Sequence, residues 1–225
     1  MSTAQTLHSL LKSGIHQIGE LEIQTNDCSS RYAICHTADV ALSQQPEFGG
    51  LAVHEGPSAA RDLSTYAADG TYRFTKGQVN LKRGWVMLLR DEENLRLALD
   101  QFYPACVGLF IAHQNGTLEI ETLRDKLNRQ TGMYKFARSI SDAGAQQLVQ
   151  KVCGPAHQCA KRILWQIDPQ TPLADSEASR YRGIIGDLPE SAAIPLLCRE
   201  ACNHFVAECR QAAKAEFQAK STAEA

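Results

Sequence analysis

Four cysteines in two pairs are the residues of this chain best suited to chemistry. Cys153 and Cys159 have five residues between them, Cys198 and Cys202 have three, and thirty-eight separate the pairs. Gly154 and Pro155 break regular structure inside the first pair and let the chain curl around a centre. The i, i+4 spacing of the second pair predicts two thiols one turn apart on one helix face. Four thiolates meeting at a point repel one another unless a cation compensates them. An iron–sulfur cluster does so and takes a full cysteine set; zinc with four thiolates is the alternative. The gap in the first pair is wider than structural zinc knuckles use. The reading is therefore a [4Fe–4S] cluster held by Cys153, Cys159, Cys198 and Cys202.

In spacing alone, the pattern resembles the cluster motif of sirohaem-containing sulfite and nitrite reductases. Nothing else of those enzymes is visible, so the resemblance implies a cluster and not a sirohaem. Cys209 follows Cys202 by seven residues; it reads as a core residue, with a spare ligand as the other option. Cys28, Cys35 and Cys106 are isolated and read as small buried hydrophobes. His157 and His204 adjoin the pairs and are the residues that could replace a cysteine around zinc. Lys161, Arg162, Arg199 and Arg210 flank the pairs. Cations there would stabilise a negative cluster and raise its potential, or would simply form solvated helix faces.

Composition narrows the setting. The chain has 225 residues, enough for one large domain or two small ones. A net charge of −2 and a pI near 6.4 give no sign of a nucleic-acid or membrane-surface partner. Met1 to Gly14 has no apolar run of signal-peptide length. The uncharged stretch Gln101 to Leu118 contains His113, Gln114 and Asn115, and reads as buried structure. A cytoplasmic location is expected, and in a reducing compartment clustered cysteines more often bind metal than form disulfides.

The positioning elements follow from periodicity and punctuation. Helices are expected over Ser2–Lys12, Ser58–Tyr66, Glu92–Phe102, Ser141 to about Val152, Ala156–Trp165 and Leu196 to about Phe217. Strands are expected over Ile18–Ile23, Arg31–His36, Gly84–Leu89 and Thr117–Glu121, with turns at Asn26-Asp27 and Asn115-Gly116. Val107–Ala112 suits either. Asp168–Glu190 reads as loop, and the tail from Ala212 as a fraying helix end. The fold expected is α+β: an N-terminal mixed stabilising portion, residues 1–138, then a mainly helical cluster-binding domain, residues 139–225.

Several blocks carry a broader resemblance: Arg61-Asp62-Leu63, Tyr72-Arg73-Phe74, Asn80-Leu81-Lys82-Arg83-Gly84-Trp85, Arg129-Gln130-Thr131-Gly132-Met133-Tyr134 and Cys198-Arg199-Glu200-Ala201-Cys202-Asn203. Together they resemble the C-terminal region of bacterial CbiX-like cobaltochelatase-related proteins, in which a stabilising domain precedes a [4Fe–4S] cluster-binding domain. The resemblance runs from roughly Ile18 to Arg210. It implies a cluster and a setting near tetrapyrrole or cobalamin metabolism. The implied partners are a separately encoded CbiX-like chelatase or a ferredoxin-type electron donor. Too few residues precede the match for the chelatase domains, so their metal-inserting histidine site is not expected here.

Lys82 and Arg83 read as solvent-facing beside a buried Trp85, with an anion site as the other option. Arg129 suggests a buried ion pair at a Gly132 turn. P-loop, dinucleotide, nucleophile-elbow and zinc-protease motifs are missing, so whether the chain is an enzyme stays open. The expected function is that of a cluster-binding redox or electron-transfer accessory. The alternatives are an interaction module with a structural cluster or zinc, and an enzyme acting on a tetrapyrrole precursor.

Overall fold

The computed structural model describes residues 3–26, 31–153, 159–168 and 193–223. It shows an α+β chain in two units. The first ends at Gly116 and takes in a short strand, Ala193–Ile194; the second begins at Thr117 and resumes at Leu197.

In the first unit, helix α1 (Thr3–Lys12) precedes strands β1 (Gln17–Ile18), β2 (Leu21–Asn26) and β3 (Arg31–His36). Helix α2 (Val40–Ser43), strand β4 (Ala52–Glu55), helix α3 (Ala60–Thr65), strand β5 (Trp85–Leu89) and helices α4 (Glu92–Phe102) and α5 (Cys106–Gln114) follow. The mixed sheet runs β4-β5-β3-β2-β1 and closes on Ala193–Ile194. β4 lies parallel to β5, β1 parallel to Ala193–Ile194, and the pairs between are antiparallel. β5 is almost continuously apolar because both of its faces are covered. α4 begins where the Asp91 side chain accepts a hydrogen bond from the Asn94 N–H. Its stripe Leu95, Ala98, Leu99 and Phe102 is buried, and Phe102 stacks on Trp85 with ring centroids 5.2 Å apart.

The strand expected over Ile18–Ile23 is broken at Gly19 and Glu20. Gly19 has φ +57°, and a Cβ there would lie 2.6 Å from the Tyr103 ring. The break turns Glu20 inward, where it is 4% exposed. Its carboxylate accepts from the Leu81 N–H at 3.2 and 3.1 Å, and lies 3.4 Å from His36 Nε2 and 3.9 Å from Arg73 Nη2. The Glu20 N–H donates to the Tyr103 hydroxyl at 2.9 Å. Arg73 is fully buried and donates to Asn80 Oδ1 and to the carbonyls of Ser64, Lys76 and Gln78. Trp85 is buried while Lys82 and Arg83 face solvent, as the block around them predicts.

The second unit contains helix α6 (Leu123–Asn128), a 3₁₀ segment over Gly132–Ser139, helix α7 (Asp142–Leu148) and helix α8 (Asn203–Ala223). Thr122 and Ser141 cap α6 and α7 through their hydroxyls. Short strands Arg162–Ile163 and Leu197–Cys198 pair in parallel. Leu123, Leu127, Leu148, Ile163, Trp165 and Phe205 are in its core.

Four expectations change here. Thr117–Glu121 forms no strand; its end bonds instead to a distant segment, Gln166 N–H to the Glu121 carbonyl and Leu123 N–H to the Gln166 carbonyl. The described part of Ala156–Trp165 is extended rather than helical, because it pairs with Leu197–Cys198. That pairing also delays the last helix to Asn203, from which it runs unbroken through the tail to Ala223. Arg129 does pair with Glu121, but its side chain is 59% exposed, so the ion pair is not buried. Among the described residues, no single helix is long and apolar enough to cross a membrane.

Candidate metal centre

All four predicted cysteines fall in the second unit, on four different local structures. Cys153 ends a π-turn, Val149–Cys153, that extends α7; such turns concentrate at functional sites. Cys159 stands just before the strand Arg162–Ile163, and Cys198 ends the strand Leu197–Cys198. Cys202 immediately precedes α8, and its carbonyl accepts from the Val206 N–H at 3.0 Å. That makes it the N-cap residue, beside the positive end of a long helix dipole. Cys198 and Cys202 are therefore not a turn apart on one helix: one lies on a strand and the other at a helix entrance. The parallel strand pair performs the positioning expected of a helix.

Each of the four is a free, half-buried cysteine. Burial pushes the Cys153 thiol up, and the thiols of Cys159, Cys198, Cys202 and Cys209 push it further. Burial lifts Cys198 to about 11; the Lys161 cation pulls it down, and Cys202 and Cys159 push it up. Burial raises Cys159 too, against the Lys161 backbone N–H and ammonium. The thiols thus lie within electrostatic range of one another, with Lys161 as the cation beside Cys159 and Cys198. Among the described residues, no three Cys, His, Asp or Glu side chains close into a single-ion cage. Cys198 Sγ donates to the Glu200 carbonyl at 3.1 Å, a bond that must be given up when the thiol ionises to bind metal.

The surroundings fit an anionic centre. Cys153, Cys198 and Cys202 pack against the core that holds Trp165 and Phe205. Arg162 Nε, Trp165 Nε1 and Arg210 Nε are buried donors with no partner among the described residues. All three belong to segments that carry the cysteines. Four thiols, with the Lys161 cation beside Cys159 and Cys198, match the ligand chemistry of a [4Fe–4S] cluster.

The other sequence candidates separate cleanly. Cys209 is fully buried in the core of this unit, and Cys35 and Cys106 are buried in the first. Trp165 is a core residue, 5.3 Å from Phe205 between ring centroids. His204 sits in the first turn of α8. Cys28 and His157 lie outside the described residues, as do Gly154, Pro155 and the Asn26-Asp27 turn beyond Asn26. The buried Glu20–Arg73–Tyr103 node escaped sequence reading; its one signal is an arginine between two aromatics, Tyr72 and Phe74.

Comparison with known proteins divides the chain at nearly the same place as its geometry. Residues 115–211 match the model of a 4Fe-4S iron-sulfur cluster binding domain, and residues 3–114 match that of the DR2241 stabilising domain. The crystal structure of DR2241 from Deinococcus radiodurans superposes with a TM-score of 0.74 at 21% identity, covering 95% of this chain and 41% of that one. That protein is described as multi-domain, with structural similarity to chelatases and two additional novel domains. The likeness shows a shared fold, and this chain spans about two fifths of the length of DR2241. No curated protein matches. The matches support a [4Fe–4S]-binding protein.

Proposed function

We propose that the chain is a redox or electron-transfer accessory whose [4Fe–4S] cluster is held by Cys153, Cys159, Cys198 and Cys202. The observation that carries this reading is the presence of four half-buried cysteines, each on a different local structure, within the segment that matches a cluster-binding domain. When bound, a cluster with four cysteine ligands supplies one-electron exchange and offers no open coordination site. The chain's own residues would set its energy. Lys161 would offset its negative charge, the N-terminus of α8 at Cys202 would add a positive dipole, and the core on which Cys153, Cys198 and Cys202 pack would limit access of solvent. The similarity of DR2241 to chelatases, together with the sequence resemblance, favours work beside tetrapyrrole or cobalamin metabolism. A separately encoded CbiX-like chelatase or a ferredoxin-type donor would then be the partner.

One observation favours a second reading, a purely structural cluster: three of the four cysteines pack directly on the unit's core. Potentiometry of the anaerobically purified protein separates the two. A one-electron couple within reach of biological donors, with an electron paramagnetic resonance signal on reduction, supports the redox reading. A centre that no such donor reduces, and whose loss in Cys198→Ser unfolds the unit, supports the structural one.

A further inference from the structure

We propose that the 3₁₀ segment Gly132–Ser139 is the docking surface for a small acidic electron-carrier protein. The inference rests on the redox reading above and names its partner. Runs of 3₁₀ helix rarely exceed three or four residues, and side chains three apart eclipse one another. This run has eight residues, so it presents three distinct faces. Tyr134, Ala137 and Ile140 continue one face inward, with Ala137 and Ile140 buried and Tyr134 packed on the core that also receives Cys153, Cys198 and Cys202. Met133 and Phe136 form a second face and are exposed, Met133 to 65%. Lys135 and Arg138 form the third, exposed and with no ion-pair partner among the described residues.

The patch extends onto α8. Phe217 is 62% exposed and meets Phe136 edge to face with ring centroids 6.0 Å apart. Lys214 and Lys220, three residues to either side of it, are exposed as well. The nearby carboxylates are already engaged: Glu216 accepts from the N–H and hydroxyl of Ser141, and Asp142 pairs with Arg124. The result is an apolar centre flanked by cations that have no ion-pair partner among the described residues, on a chain whose net charge is −2. Such an arrangement selects an anionic partner and steers its approach, while the exposed aromatic and methionine side chains give the contact its apolar centre. Its inner face shares a core with the cysteines, so a carrier seated here would stand over the unit that binds the cluster.

The test is titration of the full chain, purified anaerobically, with an oxidised acidic [2Fe–2S] ferredoxin as probe, followed by calorimetry. The oxidised probe keeps the result independent of whether the cluster can be reduced. Saturable binding is expected, weakened about tenfold between low and physiological ionic strength. The Lys135→Glu/Arg138→Glu double variant should lose a further factor of about ten at low salt, and Met133→Gln should weaken binding severalfold. Circular dichroism should show all variants folded, since these side chains are exposed. Absent binding, binding indifferent to both variants, or stronger charge-dependent binding to anionic vesicles or single-stranded DNA would overturn the proposal. A cluster that resists reduction while the ferredoxin still binds would instead refute the redox reading and leave the docking surface standing.

Discussion

The backbone N–H of Leu164 donates to the carbonyl of Cys198 at 2.7 Å. This bond extends the parallel pairing of Arg162–Ile163 with Leu197–Cys198. It ties the second cysteine pair to the segment that follows the first. The chain thereby places Cys198 beside the strand that follows Cys159 through backbone geometry rather than through the metal.

The ligand assignment separates four cysteines from the rest. Serine at Cys153, Cys159, Cys198 or Cys202 is expected to lower cluster occupancy sharply, read as the loss of visible absorbance per chain. Cys209→Ala should keep the cluster and cost about 1 kcal/mol of stability, because Cys209 is a fully buried core residue. A Cys209→Ala protein without a cluster would place Cys209 among the ligands.

The metal-free protein should be sensitive to alkali. The Cys198 thiol is pushed up to about 11 in the folded chain, chiefly by burial, from an unfolded value of about 8.5. A thiol whose folded pKa is raised stabilises the fold fully below its unfolded pKa, and that stability is lost as pH rises through the folded value. The urea midpoint of the metal-free protein should therefore fall between about pH 8.5 and 11. Bound metal ionises the thiols and should remove this dependence. A flat midpoint across that window in the metal-free protein would contradict the burial of Cys198.

Arg73 anchors the first unit. It is 2% exposed, with hydrogen bonds to three backbone carbonyls and Asn80, and it lies near the Glu20 carboxylate. Arg73→Met should destabilise this unit by about 3–5 kcal/mol, since it leaves several buried carbonyls without a partner and removes the cation beside the buried Glu20 carboxylate. Exposed Arg129, paired with Glu121, should cost no more than about 1 kcal/mol when changed to Ala. Chemical denaturation of the two variants checks the contrast.

Gly19 and Tyr103 offer a second check on the same unit. Gly19→Ala adds a Cβ against the Tyr103 ring at a positive φ, and should cost about 1–3 kcal/mol. An unchanged denaturation midpoint would show that the strand break between Ile18 and Leu21 tolerates a side chain.

Local signals made much of the chain legible. The strand Arg31–His36 and the helix Glu92–Phe102 appear with the bounds their periodicity predicts, because alternation and the Asp91 cap act within a few residues. Val107–Ala112, apolar throughout, became a helix, a choice that periodicity alone cannot make. The helix expected through Cys198 failed for a different reason. Its i, i+4 spacing suits a helix, but pairing with Arg162–Ile163 decided otherwise, and that partner is distant in sequence. The change of character seen at residue 139 likewise falls inside the second unit, which begins at Thr117. Residues 123–139 read as a continuation of the first part, yet the 3₁₀ segment packs on α8 near the chain's end. The site residues were legible as residue types, because four thiols in pairs have few uses; the strand pair and N-cap that place them were not.

The most direct test of the cluster assignment is metal and sulfide analysis of the anaerobically purified chain. About four irons and four acid-labile sulfides per chain are expected, with a visible band that bleaches on reduction. One zinc and no iron would contradict the assignment and make the four thiols a structural zinc site.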